Sequence, residues 1–293
     1  MSGPHSRQPA PFLPLSAMAT RSTEELIFEA CLREVQAPKP GNVHPGAAFS
    51  DLTCEDFIRS AHAVAPVLAR AGELGIGPAI LLAVQATRRV VATNTNLGMI
   101  LLLAPLAAIP RDRSLVDGIE PILAALTRDD AVAVYQAIRL AMPGAMGDVP
   151  EGDLAVGPTG TLREMMALAA NRDSVAAEYA RGFPIVLGRG LPILARRWHD
   201  EIWEEAVVGL HLELMVAIPD TLIARKCGPE VARESADRAE RVLDAGWPAD
   251  PNGRRLCVEL DAWLRADGHR RNPGTTADLV AASVFAFLRE HRG

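Results

Sequence analysis

Two lysines, Lys39 and Lys226, stand against twenty-eight arginines in this 293-residue chain. Both lie in polar segments punctuated by glycine and proline rather than on the charged face of a helix. A lysine ammonium is a compact point charge suited to a phosphate oxygen, whereas an arginine offers a planar fork. Composition bias alone could leave two such survivors, so the weight falls on their neighbours. Lys39 opens a loop, Pro38-Lys39-Pro40-Gly41-Asn42-Val43-His44-Pro45-Gly46, that runs on to Asp51. Lys226 follows Asp220, Thr221 and Arg225 and precedes Gly228. A third polar run, Thr93-Asn94-Thr95-Asn96-Leu97-Gly98, interrupts two very apolar stretches. Buried amides and hydroxyls must find partners, so this run is either a capping turn or a site. The fourth, Arg270 to Asp278, contains Pro273-Gly274-Thr275-Thr276, where free backbone N–H groups would open a helix and offer an anion site. Helix capping explains any one of these runs. Four of them are harder to dismiss.

The elements that must position them are helical. Ser22-Thr23-Glu24-Glu25 reads as a capping box opening a helix to about Val35, and Thr53 caps a second. Helical periodicity then predicts helices from Pro78 to Val91, from Leu97 to Ala108, near 114–126, 129–141 and 161–170, and from Ile202 to Val216. Three more, near 229–245, 252–266 and 276–290, close the chain. No alternating strand pattern of useful length and no fixed repeat is present. The expectation is an all-α fold, one multi-helix domain over 21–293 behind a flexible tail over 1–20.

Composition narrows the function. A formal charge of −6 argues against a nucleic-acid coat, though not against a local basic pocket. The four cysteines form no CxxC pair and fit a reduced, cytoplasmic protein better than a disulfide framework or a zinc site. The apolar run from Met99 to Ile109 is broken by Pro105 and is too short to span a bilayer, so no membrane role is expected. Walker-type and Gly-x-Gly-x-x-Gly nucleotide cradles are absent from the sequence, as are a nucleophile elbow and a Cys/His nucleophile pairing. His62, His199 and His211 lack metal-ligand spacing and read as structural, His44 has no assigned role, and the four tryptophans read as packing residues.

In order and wording the four polar runs resemble the triphosphoribosyl-dephospho-CoA synthase family. The residues that carry the resemblance are Glu29, Pro38-Lys39-Pro40-Gly41, Gly46-Ala47 and Asp51, then Asn94, Thr95 and Gly98. Asp220, Thr221 and Arg225 follow, with Pro273, Gly274, Ala277, Asp278 and Leu279. Arg181-Gly182-Phe183-Pro184 and Leu191-Pro192 look like the family's middle region. The chain departs from the pattern at Ala48 and Phe49, where a His is usual, and at Asn96 and Leu97, where His-Lys is usual. It looks like a diverged branch, similar to copies found in one-carbon metabolism.

The resemblance implies that ATP donates its triphosphoribosyl group to the 2′-hydroxyl of 3′-dephospho-CoA, or of a related cofactor intermediate, with release of adenine. Such a glycosyl transfer needs a carboxylate to take the hydroxyl proton and cations on the triphosphate. Asp51 or Glu29 is then the candidate base. Lys39, Arg225 and Lys226, with Gly274, Thr275 and Thr276, are the candidate triphosphate ligands. Asn94, Thr95 and Asn96 would hold ribose hydroxyls or a metal-bound water. Asp51, Asp220 and Asp278 are candidate ligands for Mg²⁺, the expected cation. Two alternatives remain open at this point: an Mg²⁺-dependent nucleotide or ribosyl hydrolase, and a non-catalytic nucleotide-binding partner. The partners implied are small nucleotides, and the apolar segments are compatible with a homodimer.

Overall fold

The side chain of Ser22 accepts the backbone N–H of Glu25, while the Glu25 carboxylate reaches back to the Ser22 N–H. This capping box opens α1 (Thr23–Gln36), and a second one, Thr53 with Asp56, opens α2 (Cys54–Leu68). Both starts are legible in the sequence. The computed structural model describes residues 21–93, 95–141 and 157–291, so the expected tail over 1–20 and Asn94 lie outside the described residues.

After α2 come α3 (Ala71–Leu74), α4 (Ile76–Val90), α5 (Leu97–Ala108), α6 (Leu115–Ala124), α7 (Arg128–Ala141) and α8 (Leu162–Ala169). The second half holds α9 (Ser174–Arg181), a π-helical turn (Val186–Gly190), α10 (Leu191–Arg197) and α11 (Trp203–Ala217). It ends with α12 (Thr221–Cys227), α13 (Pro229–Asp244), α14 (Pro251–Arg265) and α15 (Gly274–Glu290). Among the described residues there are no strands, only two isolated bridges inside the 44–52 loop. The fold is all-α.

Helix α15 is the axis of the molecule. It is buried along nearly its whole length and touches α1, α5, α10, α11 and the π-helical turn. Such a helix is apolar all round because neighbours surround it. Arg289, wholly buried near its end, donates to the carbonyls of Leu106, Ile109 and Pro110 and so satisfies the open C-terminus of α5. Helices α5 and α11 are buried on most sides as well. No single helix among the described residues is long and apolar enough to cross a membrane. One bent pair, Asp200–Ala217 with Thr221–Cys227, passes that test by length and composition, and its α11 half belongs to this core.

Sequence periodicity misses α3, α9, α10 and α12, which are four, eight, seven and seven residues long. Two turns of helix are too short to show a period, and their order comes from tertiary contacts.

Candidate active site

Five residues separate Glu29 from Glu34 on α1, so they point about 140° apart around its axis. Glu29 is held by Arg33 at 2.5 Å and Arg21 at 3.3 Å, and the Arg33 guanidinium lies 5.0 and 4.9 Å from the rings of Trp198 and Trp203. Both Glu29 oxygens are committed to arginines. The structure therefore does not present Glu29 as a free base, contrary to expectation.

Glu34 faces the other way and meets Lys39. The Lys39 ammonium lies 2.9 Å from Glu34 Oε1 and also donates to the Glu34 carbonyl, and neither residue is accessible. Lys39 was expected on the triphosphate. It is enclosed instead, where it neutralises a carboxylate that the sequence reading overlooked. A carboxylate at a helix end, five residues before a lone lysine, was the signal available.

The rest of the Pro38–Asn42 loop is tied down residue by residue. His211 Nε2 donates to the Pro40 carbonyl at 3.3 Å, and the Gly41 N–H donates to Asp261 at 2.7 Å. Asn42 donates to Asn272 at 2.6 Å. Gly41 has φ +77°, and a Cβ there would lie 2.8 Å from both Leu264 and Pro273, so only glycine fits. The loop thereby fixes the turn that starts α15.

Asp220 precedes α12 and works on two helices. Its Oδ1 accepts the N–H groups of Leu222 and Ile223, both at 2.9 Å. Its Oδ2 accepts the N–H and hydroxyl of Thr276 at 2.7 and 2.8 Å. Four donors fill the roughly four acceptor positions of a carboxylate. Asp220 is thus a structural clamp with nothing left for Mg²⁺, which corrects its expected metal role. Beside it, Thr221 donates to Thr275 at 3.2 Å.

Asp278 ends the first turn of α15 and crosses to the start of α5. It accepts the Met99 N–H, and a Cβ on Gly98 would lie only 2.0 Å from its Oδ2. Asn96, the residue before α5, does not cap it, because the Asn96 side chain accepts from Thr87 at 3.2 Å. Thr95 likewise pairs with Ser60 at 2.6 Å. Thr95 and Asn96 therefore brace α2 and α4, and do not stand free for ribose hydroxyls as expected. Asp278 as a whole residue is intermediate in exposure, with its carboxyl turned into the α5–α15 crossing. Burial, then the charges of Glu34, Asp220 and Asp173, hold its carboxyl well above the usual range.

At the rim, Asp51 is half-exposed and lies 3.4 Å from His269 Nδ1. Arg225 and Lys226 are exposed on the last turn of α12, and Arg270 donates to the Lys226 carbonyl. Partial burial and the adjacent Arg225 lower the Lys226 pKa, while Asp220 and Asp51 act against that. Asp51, Asp220 and Asp278 do not form one metal centre, and no three His, Cys, Asp or Glu side chains among the described residues gather to hold an ion. The geometry offers one largely buried inner carboxylate, a first turn of α15 with two buried, hydrogen-bonded hydroxyls, and a basic outer edge.

Comparison with known proteins places the chain in a family. The family described as CitG, ATP:dephospho-CoA triphosphoribosyl transferase, matches residues 20–293. A protein of Pseudomonas syringae pv. tomato named probable 2-(5''-triphosphoribosyl)-3'-dephosphocoenzyme-A synthase is 37% identical over 36% of this chain and 35% of its own length. A Pseudomonas putida protein of the same name is 36% identical over 36% of this chain and 37% of its own. The matches thus span little more than a third of these curated relatives. A crystal structure from Archaeoglobus fulgidus, named for the same synthase, superposes with a TM-score of 0.63 at 28% identity. It covers 80% of this chain and 99% of its own.

Proposed function

Because the chain belongs to the ATP:dephospho-CoA triphosphoribosyl transferase family, we propose that it moves the triphosphoribosyl group of ATP to the 2′-hydroxyl of 3′-dephospho-CoA and releases adenine. The observation that carries this reading is Asp278, a largely buried carboxylate that accepts the Met99 N–H and is set between the first turns of α5 and α15.

Asp278 takes the proton of the attacking hydroxyl. A carboxyl whose proton affinity is raised by burial and like charges is a better base than an ordinary one, and such transfers contribute about 10²–10⁴-fold. The bond from the acceptor oxygen to C1′ of the ribose forms as the C1′–N9 bond breaks, through an oxocarbenium-like state. Adenine departs with the electron pair of that bond. At the start of α15 the N–H groups of Gly274, Thr276 and Ala277 are taken by Asn272, Asp220 and Pro273, so Thr276 is not a triphosphate ligand as expected, and Thr275 is left to meet a phosphate oxygen. Arg225 and Lys226 at the rim supply further positive charge.

Mg²⁺ fits the rim better than the interior. Asp51 is half-exposed with a single side-chain partner, so it can give one oxygen to an ion that the triphosphate already carries. The ion, when bound, neutralises triphosphate charge. Mass spectrometry of the acceptor after incubation with MgATP tests the reaction. A mass gain of one triphosphoribosyl group supports the proposal. An unmodified acceptor beside consumed ATP would point to the hydrolase alternative.

A further inference from the structure

Three carboxylates lie within electrostatic reach of Asp278, namely Glu34, Asp220 and Asp173. Two of them are already spent. Glu34 is neutralised by the Lys39 ammonium at 2.9 Å, and both side chains are enclosed. Asp220 is buried with its acceptor positions filled by Leu222, Ile223 and Thr276. Asp173, the residue before α9, differs from both. Its Oδ1 accepts the N–H groups of Val175 and Ala176 at 2.8 and 3.1 Å. Its Oδ2 has neither a hydrogen-bond partner nor a cation among the described residues, and the residue is partly exposed.

Hydrogen bonds tie this carboxylate to the same junction as Asp278. The Ser174 N–H donates to Thr221 Oγ1 at 3.4 Å, and that hydroxyl donates to Thr275 Oγ1 at 3.2 Å. Thr275 and Asp278 are three residues apart on α15 and so share a face of it. Farther along α9, Tyr179 donates to the Leu101 carbonyl at 2.6 Å, which seats α9 on α5 as well. The starts of α5, α9, α12 and α15 therefore meet, with Asp173 and Asp278 both at the meeting point.

Capping α9 does not by itself call for a carboxylate. Neutral side chains do the same work at Ser22, Thr53, Ser114 and Thr161, which open α1, α2, α6 and α8. A second negative charge beside the partly buried Asp278 opposes folding through like-charge repulsion. Glycosyl transfer gives such a pair a use. One carboxylate exchanges a proton while the other faces the cationic sugar carbon of the oxocarbenium-like state.

We propose that Asp173 is a further catalytic residue, whose unpaired oxygen faces C1′ of the ATP ribose and offsets the positive charge that develops there. The inference rests on the transferase reading, in which Asp278 is the base. The acceptor hydroxyl gives its proton to Asp278 as its oxygen bonds to C1′. The electron pair of the C1′–N9 bond leaves with adenine, which takes up a proton from water. Asp173 exchanges no proton and forms no bond. Its charge acts most strongly between bond breaking and bond making, when C1′ is most cationic.

Asp173→Asn tests this, because Asn caps a helix as well as Asp does and the substitution removes only the charge. Adenine release is followed across pH, and the melting temperature is measured on the same preparation. The variant should keep its melting temperature and lose about 10²-fold in kcat, the usual cost of removing one group aimed at developing charge. The rising limb of its pH–rate profile should also move to lower pH, because Asp278 then faces one negative charge fewer. The other titratable groups facing Asp278, which are Glu34 with its Lys39 partner, Cys31 and Asp220, are the same in both proteins. Wild-type kcat with an unmoved limb would overturn the proposal. So would a loss of rate that follows a lowered melting temperature with the limb unmoved, the mark of a cap alone. Adenine release that needs Asp173 but no acceptor would uphold its role and count against the transferase reading alone. A wild-type protein that releases no adenine would overturn both.

Discussion

Asp278 and Lys39 carry opposite lessons about single residues. The Asp278 carboxylate sits beside three other carboxylates with no cation of its own among the described residues, and Lys39 is enclosed and pairs with one of them. Replacing Asp278 by Asn should lower kcat about 10²–10⁴-fold, the usual contribution of a positioned base, with ATP affinity retained. Steady-state rates and calorimetry on the same preparation check this. Lys39→Met should act on the fold. It leaves Glu34 buried without its cation, which costs about 3–5 kcal/mol. Urea denaturation of Lys39→Met and of the double variant with Glu34→Gln distinguishes this from a lost substrate contact. Stability should return in the double variant, because the neutral pair leaves no buried charge. Sequence singled out Lys39 by type and neighbourhood, but residue type cannot report exposure, and so its expected ligand, phosphate, differs from the one observed.

Between elements, the contacts that matter are crossings of one helix start over another. Asp220 joins α12 to α15, Asp278 joins α15 to α5, and the Pro38–Asn42 loop joins α1, α11 and α14 to the turn before α15. Gly98 permits the closest crossing. A Gly98→Ala methyl would meet Asp278 Oδ2 and force α5 and α15 apart, at about 1–3 kcal/mol. Both the melting temperature and kcat should fall, and a variant with wild-type values for both would show that the crossing is not tight. The polar runs that meet here were legible as four separate segments. Long helices were legible too, because capping boxes and apolar periods are local signals. Which runs touch was not, since Asp220 to Thr276 spans 56 residues and only packing brings them together.

For the whole molecule, the buried His211 links site and stability. Its Nε2 donates to Pro40, its Nδ1 is enclosed with no partner among the described residues, and burial, followed by the nearby Lys39 charge, pushes its pKa down to about 3. The unfolded chain takes up this proton near 6.5, so between those values it binds more protons than the folded one. Stability from this group is present above pH 6.5 and is lost as pH falls toward 3. Melting temperatures of wild type and His211→Leu across that range should converge on acidification, because the variant lacks this proton-linked loss. Parallel curves would contradict the assignment. The sequence reading gave His211 a structural role from the absence of metal-ligand spacing, but its tie to the Pro40 loop depends on residues 171 apart.

The most direct measurement is chromatographic detection of free adenine from the purified protein with ATP, Mg²⁺ and 3′-dephospho-CoA, omitting each in turn. The account predicts adenine only when both substrates are present, and its loss in Asp278→Asn. Adenine formed without an acceptor, or wild-type adenine release from the Asp278→Asn protein, would contradict it.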